Sequence, residues 1–360
     1  MSQNEWPSWT QILIKKDDHI IDAISKIDAS AGHYQICLVA TEQKKLLGTV
    51  TDGDIRRAIL KGISLNDTVS QIMNKNPLTI DATEPLEKAF QLMKEKELRF
   101  IPVVDGQNHI LNVIGPRNLL GSHIELLNPV VIMAGGQGLR LRPLTNDIPK
   151  PMLKVGDRPL LQIIIENFKQ QGLKTFFLAI NYKGEKIKEY FQDGKKWGVE
   201  IQYMLEDGAS GTAGALSLLN NSGNKPIIVM NADLLTKINF EHLIQFHQEQ
   251  NSMATMCVRP YEFQIPYGVI EFNHERQITR IDEKPIHQSF VNAGIYIINP
   301  EALQFVPKNT PFDMTDLFEV LIEKKYHTSV FPIREYWLDI GMHNDYEKAK
   351  IDFNKKFSST

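Results

Sequence analysis

Apolar residues recur along the chain in two rhythms. Uninterrupted runs of five or six, such as ICLVA (36–40), VVIMA (130–134), TFFLAI (175–180) and PIIVM (226–230), predict buried strands. Stretches with apolar residues three and four apart predict amphipathic helices: IIDAISKI (20–27), LEKAFQLM (86–93), LLQIIIENFKQQG (160–172), GEKIKEYF (184–191), TAGALSLL (212–219) and FEHLIQFHQEQ (240–250). From residue 130 onward the two kinds alternate, with VEIQYM (199–204) as a further strand. That alternation predicts a mainly parallel α/β sheet covered on both faces, with ligands bound at the carboxyl ends of its strands.

The first third of the chain repeats itself. Ile14, IIDAISKI, ICLVA, LLGTV (46–50) and Asp54 follow one another in the same order as Ile80, LEKAFQLM, FIPVVD (100–105), ILNVI (110–114) and Asn118. Ile14 and Ile80 lie 66 residues apart, Ile36 and Ile101 65, Thr51 and Gly115 64, a steady drift that points to duplication. Neither copy has the apolar surface to fold well alone, so the two are expected to pair across a shared face.

This repeat resembles a tandem pair of CBS (cystathionine-β-synthase-type) domains over about residues 8–124. The resemblance rests most on GTVTDGDIRRAI (48–59). It implies that Thr51 and Asp54 contact the ribose of an adenosyl nucleotide or similar effector, since a carboxylate accepts both hydrogen bonds of a cis-diol. The second copy carries Gly115 and Asn118 at those positions, so at most one effector site is expected. A purely dimer-forming role for the module stays open, and a homo-oligomer is expected on either reading. Asn128-Pro129 ends the module, giving expected domains 1–126 and 127–360.

At 360 residues, with 42% hydrophobic and 23% charged, the chain has material for two soluble domains, and no apolar run approaches the ~20 residues that cross a bilayer. The opening MSQNEWPSWTQ carries no secretory pattern, so a cytoplasmic protein without a membrane partner is expected. Cys37 and Cys257 sit in apolar runs and are read as buried thiols without chemistry. A net charge of -3 argues against nucleic acid as a partner.

The chemistry concentrates after the first strand of the second domain, in MAGGQGLRLRPLTNDIPKPML (133–153). Gly135, Gly136 and Gly138 let backbone N–H groups approach an anion, and Arg140 and Lys150 bring positive charge to the same segment. A lone GGxG is an ordinary turn. The longer pattern GGxGxRLxPLT followed by PKP resembles the signature of the sugar-1-phosphate nucleotidyltransferase family, except that Leu139 stands where the family usually has Thr. The resemblance reaches the end of the chain and implies a Rossmann-like, glycosyltransferase-A-like domain.

It implies further that Asp233 in MNADLL (230–235) and Asp339 in WLDIG (337–341) bind Mg²⁺, an ion suited to two carboxylates plus phosphate oxygens and water. Lys284 of DEKP (282–285) would contact the sugar phosphate, and Glu283 the sugar hydroxyls. Asn292 and Gly268 fall in segments resembling the sugar pocket, and Asn181 follows a strand as a further candidate. The sugar phosphate's own oxygen can attack the α-phosphorus of a nucleoside triphosphate, so Arg140, Lys150 and Lys284 act by positioning and charge.

Gly211 and Thr212 resemble the family's base-contacting loop, with Glu206 five residues before Gly211, where uridylyl- and thymidylyltransferases carry Gln. A carboxylate only accepts hydrogen bonds, and guanine offers two adjacent donors, so GTP is expected. A guanylyltransferase joined to CBS domains resembles enzymes of bacterial nonulosonic (legionaminic) acid routes that use glucosamine 1-phosphate, with mannose 1-phosphate as the competing acceptor and a silent nucleotide sensor as the non-enzyme alternative.

Overall fold

In the computed structural model, residues 8–30, 34–96, 98–115, 126–206, 208, 210–219 and 223–357 are described. The chain divides into two units, 1–124 and 125–360. In the first, the duplicated pattern folds as two copies of one small sheet. Strand β1 (Leu13–Ile14) lies parallel to β2 (Ile36–Ala40), which pairs antiparallel with β3 (Leu46–Thr51). Strands β4 (Ile80–Asp81), β5 (Ile101–Val104) and β6 (Ile110–Ile114) repeat that order and those directions. Even the register irregularities correspond, at Val39/Ala40 and Val103/Val104.

One apolar cluster takes Ile36, Leu38 and Leu46 from the first copy and Phe100, Ile110 and Val113 from the second. The face that each copy could not bury alone is covered by the other. Main-chain bonds join them, from Leu46 N to Asn108 O and from Ile110 N to Lys44 O, both 2.9 Å.

The strands of the second unit are β7 (Val130–Met133), the short β8 (Lys154–Val155) and β9 (Arg158–Pro159), β10 (Thr175–Ile180), β11 (Glu200–Leu205), β12 (Ile227–Asn231), β13 (Leu234–Thr236), β14 (Ala254–Gln264), β15 (Gly268–Phe272), β16 (Ile278–Glu283), β17 (Ile286–Ile298), β18 (Thr328–Pro332) and β19 (Trp337–Asp339). The central sheet has the order β11-β10-β7-β12-β17-β14-β18. Only β17 runs against its neighbours within that sheet.

Successive residues on each strand go to opposite faces, as the pleat requires. Val130, Ile132, Phe176, Leu178 and Ile228 pack with Phe168 and Phe240, which come from helices Leu160–Gln170 and Phe240–Glu249. Val131, Phe177, Ala179 and Val229 pack with Leu317 and Leu321 of helix Met314–Glu323 on the other side. Cys37 and Cys257 are fully buried in their respective units. The expected helix 212–219 is instead one short turn, Gly211–Gly214, tightening into a 3₁₀ segment, Ala215–Leu218. Glycine at both ends of that turn withholds helical propensity.

From β7 the chain steps outward through β10 to β11, then returns to place β12 on the other side of β7. This reversal opens a crevice at the carboxyl ends of β7 and β12, where open α/β sheets bind ligands.

Candidate functional site

A cavity of about 490 Å³ opens there. Each wall is the residue or loop that follows a strand: Ala134 to Gln137 after β7, Asn181 and Tyr182 after β10, Glu206 and Gly208 after β11, and Asn231 to Asp233 at the end of β12. Lys150 and the turn Ser210–Thr212 complete it. Of the residues singled out in the sequence, Gly135, Gly136, Lys150, Asn181, Glu206, Gly211, Thr212 and Asp233 line this one space.

The glycine loop is shaped by close approaches. A Cβ at Gly135 would lie 2.1 Å from Glu206 Oε2, so the absence of a side chain lets the glutamate fold across the loop. Gly138 has φ +63°, and a Cβ there would meet Thr145 Cγ2 at 2.9 Å. Buried Thr145 returns a hydrogen bond to Gly138 O at 2.8 Å. A Cβ at Gly136 would meet nothing within 4 Å, leaving the open side of the loop clear.

Asp233 and Asp339, 106 positions apart in sequence, are brought together by a two-stranded ladder. Leu234 of β13 pairs with Asp339 of β19, and Ile340 N donates to Asp233 O at 3.0 Å. Lys150 Nζ reaches Asp233 Oδ2 at 2.5 Å. A Cβ at Gly341 would lie 3.7 Å from Asp339 Oδ1 and 3.8 Å from Arg140 Nη2, so the carboxylate and the guanidinium both face this glycine. Burial raises the Asp339 pKa from its ordinary value and the Asp233 charge adds to this, while Lys150 and Arg140 oppose it.

The donor set fits a divalent cation. Asp233 Oδ1 and Asp339 Oδ1 are both buried without a hydrogen-bond partner, a costly arrangement that a cation would relieve. Among the described residues no third carboxylate, histidine or cysteine joins them in a cluster. A pair suits magnesium, which keeps water and phosphate oxygens in its remaining positions.

Glu206 has its carboxyl pushed up by burial, against a lowering hydrogen bond from Ser210. Asn181 Nδ2 donates to Gly208 O, tying the β10 and β11 loops together. Thr212 lines the cavity, yet its amide and hydroxyl are both committed, to Asp313 Oδ1 at 2.8 and 3.1 Å.

The expected sugar-side residues stand elsewhere in the unit. Beyond Val258 and Asn292 the ladder of β14 and β17 continues as an arm to Gln264 and Ile286, with the hairpin β15–β16 between them. Lys284 is exposed there at φ +49°, and Gln264 Nε2 donates to its carbonyl at 3.1 Å. Glu283 pairs across β15–β16 with Gly268. None of these three lines the cavity. Asn292 is spent locally, donating to Tyr296 Oη at 2.7 Å and accepting from Gly294 N at 2.9 Å.

In the first unit Thr51 and Asp54 are together, as a helix cap. Asp54 Oδ2 accepts from Thr51 N at 2.8 Å and Thr51 Oγ1 at 2.6 Å, while Asp54 Oδ1 pairs with Arg57 Nη2 at 2.5 Å. At the matching place in the second copy, a Cβ on Gly115 would strike Phe100 Cε1 at 2.6 Å, so packing excludes a threonine there. Asn118 lies outside the described residues.

Tyr182, Asn231 and Ser210 line the cavity without having been singled out in the sequence. Asn231 stands two residues before Asp233 at a strand end, which is the one local signal that could have marked it.

Residues 129–356 match the family model for nucleotidyl transferases, and residues 10–61 and 69–124 each match that for the CBS domain. A mannose-1-phosphate guanyltransferase of Pichia angusta is 34% identical over 229 residues, 60% of this chain and 61% of that one. A UTP–glucose-1-phosphate uridylyltransferase of Synechocystis is 30% identical over 238 residues, 61% of each. The chain thus spans about three fifths of the length of these relatives. A solved structure described as a glucose-1-phosphate thymidylyltransferase from Bacillus anthracis aligns with a TM-score of 0.51 at 22% identity, covering 62% of this chain and 94% of that one, and shows the shared fold. With the family model covering most of the chain, the protein belongs to the nucleotidyl transferase family and carries two CBS domains ahead of the transferase domain.

Proposed function

We propose that the chain is a magnesium-dependent sugar-1-phosphate guanylyltransferase that transfers GMP from GTP to a sugar 1-phosphate and releases pyrophosphate. The observation that carries the guanine reading is the Glu206 carboxylate folded across Gly135 inside the cavity. There it can accept from guanine N1–H and N2–H, and those donors favour the ionised form that burial alone disfavours. The similarity to mannose-1-phosphate guanyltransferases supports the same base. The similarity to a uridylyltransferase supports UTP as the second reading.

Asp233 and Asp339 would hold the magnesium ion, which supplies neutralisation of triphosphate charge when bound. The open face of the loop at Gly136 gives the phosphates room to meet backbone N–H groups. Arg140 and Lys150 add fixed charge where the dianionic sugar phosphate must approach a polyanion, so catalysis rests on placement and electrostatics. Lys284, Glu283, Gly268 and Asn292 would serve the sugar phosphate by movement of the arm toward the cavity. Glucosamine 1-phosphate is the proposed acceptor, for bacterial nonulosonic acid or surface-glycan synthesis, with mannose 1-phosphate its competitor.

No described helix is long and apolar enough to cross a membrane. A cytoplasmic location accords with the proposed use of nucleoside triphosphate, and the exposed Tyr267, Phe272 and Ile286 of the arm support the proposed self-association. Incubating the enzyme and Mg²⁺ with GTP or UTP and a panel of sugar 1-phosphates, with pyrophosphate release as readout, tests nucleotide and acceptor together. GTP turnover with glucosamine 1-phosphate supports the reading, and UTP preference refutes its base.

A further inference from the structure

The turn Ser210–Thr212 forms one wall of the cavity, and the forces that hold this wall come from 100 residues away. Phe312 N donates to Ser210 O at 2.9 Å, and Phe312 O accepts from Ala213 N at 2.9 Å and Gly214 N at 2.8 Å. Asp313 Oδ1 accepts from both the amide and the hydroxyl of Thr212, whose oxygen in turn accepts from Met314 N at 2.9 Å. Gly211 is pressed into this contact at φ +76°, where a Cβ would lie 2.5 Å from Phe312 O and 2.9 Å from Asp313 Oδ1. Asp313 is itself fixed, its amide donating to Asp316 Oδ2 at 2.8 Å at the start of helix Met314–Glu323. That helix is anchored in the core through buried Leu317 and Leu321.

From this network we infer that Asp313 is a positioning residue that clamps the 210–214 turn and so sets the base-side wall of the nucleotide cavity. It does not itself line the cavity. Its carboxylate supplies the one acceptor that holds Thr212 by two bonds, and together with the main-chain bonds to Phe312 it fixes where the turn stands against Glu206, whose carboxyl Ser210 hydrogen-bonds. The inference rests on reading the cavity as a nucleotide site, but the clamp itself can be measured without that reading.

Asp313→Ala in the full chain removes the acceptor, and Asp313→Asn retains one at nearly the same place. In Asp313→Ala, amide hydrogen exchange across 210–214 should accelerate at least tenfold, KM for GTP should rise roughly tenfold, and kcat should change little. Asp313→Asn should restore both readouts most of the way. Thr212→Val keeps the amide bond to Asp313 but loses the hydroxyl's bonds to Asp313 and Met314, so it should show part of the KM effect, and the double variant with Asp313→Ala should fall short of the two effects summed. A lowered melting temperature with unchanged exchange at 210–214 and unchanged KM would overturn the clamp, as would additive effects of the two substitutions. Faster exchange in a protein whose wild type neither binds nor turns over any nucleoside triphosphate would leave the clamp standing and remove the nucleotide reading instead.

Discussion

At the scale of single residues, the proposed base choice falls on Glu206. Its neighbours bear on what a substitution can do: Gly135 has no side chain where the Glu206 head group lies, and Ser210 already hydrogen-bonds the carboxyl. Glu206→Gln keeps the volume but exchanges one acceptor for a donor. GTP turnover should fall at least tenfold relative to UTP or dTTP, since each charge-assisted bond to guanine contributes about 1.5–3 kcal/mol. Competition assays with paired nucleotides check this, and an unchanged ratio would mean that Glu206 does not read the base.

The carboxylates make a second case. Asp233→Asn or Asp339→Asn should each remove most turnover and weaken Mn²⁺ or Mg²⁺ binding while leaving the melting temperature within a few degrees, because the unpaired oxygen of each has no protein partner to lose and an asparagine at 233 still offers Lys150 an acceptor. Near-normal activity in either variant would remove it from the ligand set. His247 governs stability rather than chemistry. It is buried, bonded to Thr255 Oγ1 at 2.8 Å and Asn299 Oδ1 at 3.0 Å, and burial lowers its pKa. The unfolded chain therefore takes up the proton first. This contribution is whole above about pH 6.5 and is lost as pH falls below it. Urea midpoints at pH 7.5 and 5.5 should separate more for the wild type than for His247→Gln.

At the scale of elements, the periodicities were legible wherever one face had to be buried. Ile163, Ile164 and Phe168 on Leu160–Gln170 and the unbroken apolar run of β10 left little freedom, and both elements stand where the pattern predicts them. TAGALSLL carried the same spacing and still did not make a helix, because its Gly214 and the preceding Gly211 serve the contact with Phe312 that no local pattern announces. Thr212 was legible as a residue of the site but not its pairing with Asp313, which lies 101 positions further along. Gly211→Ala combines a left-handed φ with a clash against a carbonyl. It should destabilise the transferase unit by about 2 kcal/mol or more and raise KM for the nucleotide, as denaturant unfolding and kinetics on one preparation would report.

At the scale of the whole molecule, the duplication was visible because a constant spacing survives in sequence, and the two sheets repeat it strand for strand. What the copies bind was less legible. Thr51 and Asp54 satisfy each other and Arg57 in a capping box, so an effector ribose must compete with existing bonds. We expect calorimetric titration of the full chain with adenine and guanine nucleotides, the transferase cavity first saturated with product, to show a second, weaker site that Asp54→Asn removes. Heat that survives the substitution would place the effector elsewhere, and silence would leave the module an oligomerising one. Because every proposed catalytic group lies in 125–360, that unit alone should retain measurable turnover.

The proposed guanine chemistry rests most on Glu206, the glycine loop and Asp233 lining one crevice, with Asp339 held near Asp233 by the β13–β19 ladder. The most direct measurement is the wild-type ratio of kcat/KM for GTP to that for UTP, with Mg²⁺ and saturating sugar 1-phosphate. A ratio of at least about ten in favour of GTP is predicted, the least that even one of the two bonds to Glu206 should give. A ratio of one or below would contradict the guanine reading.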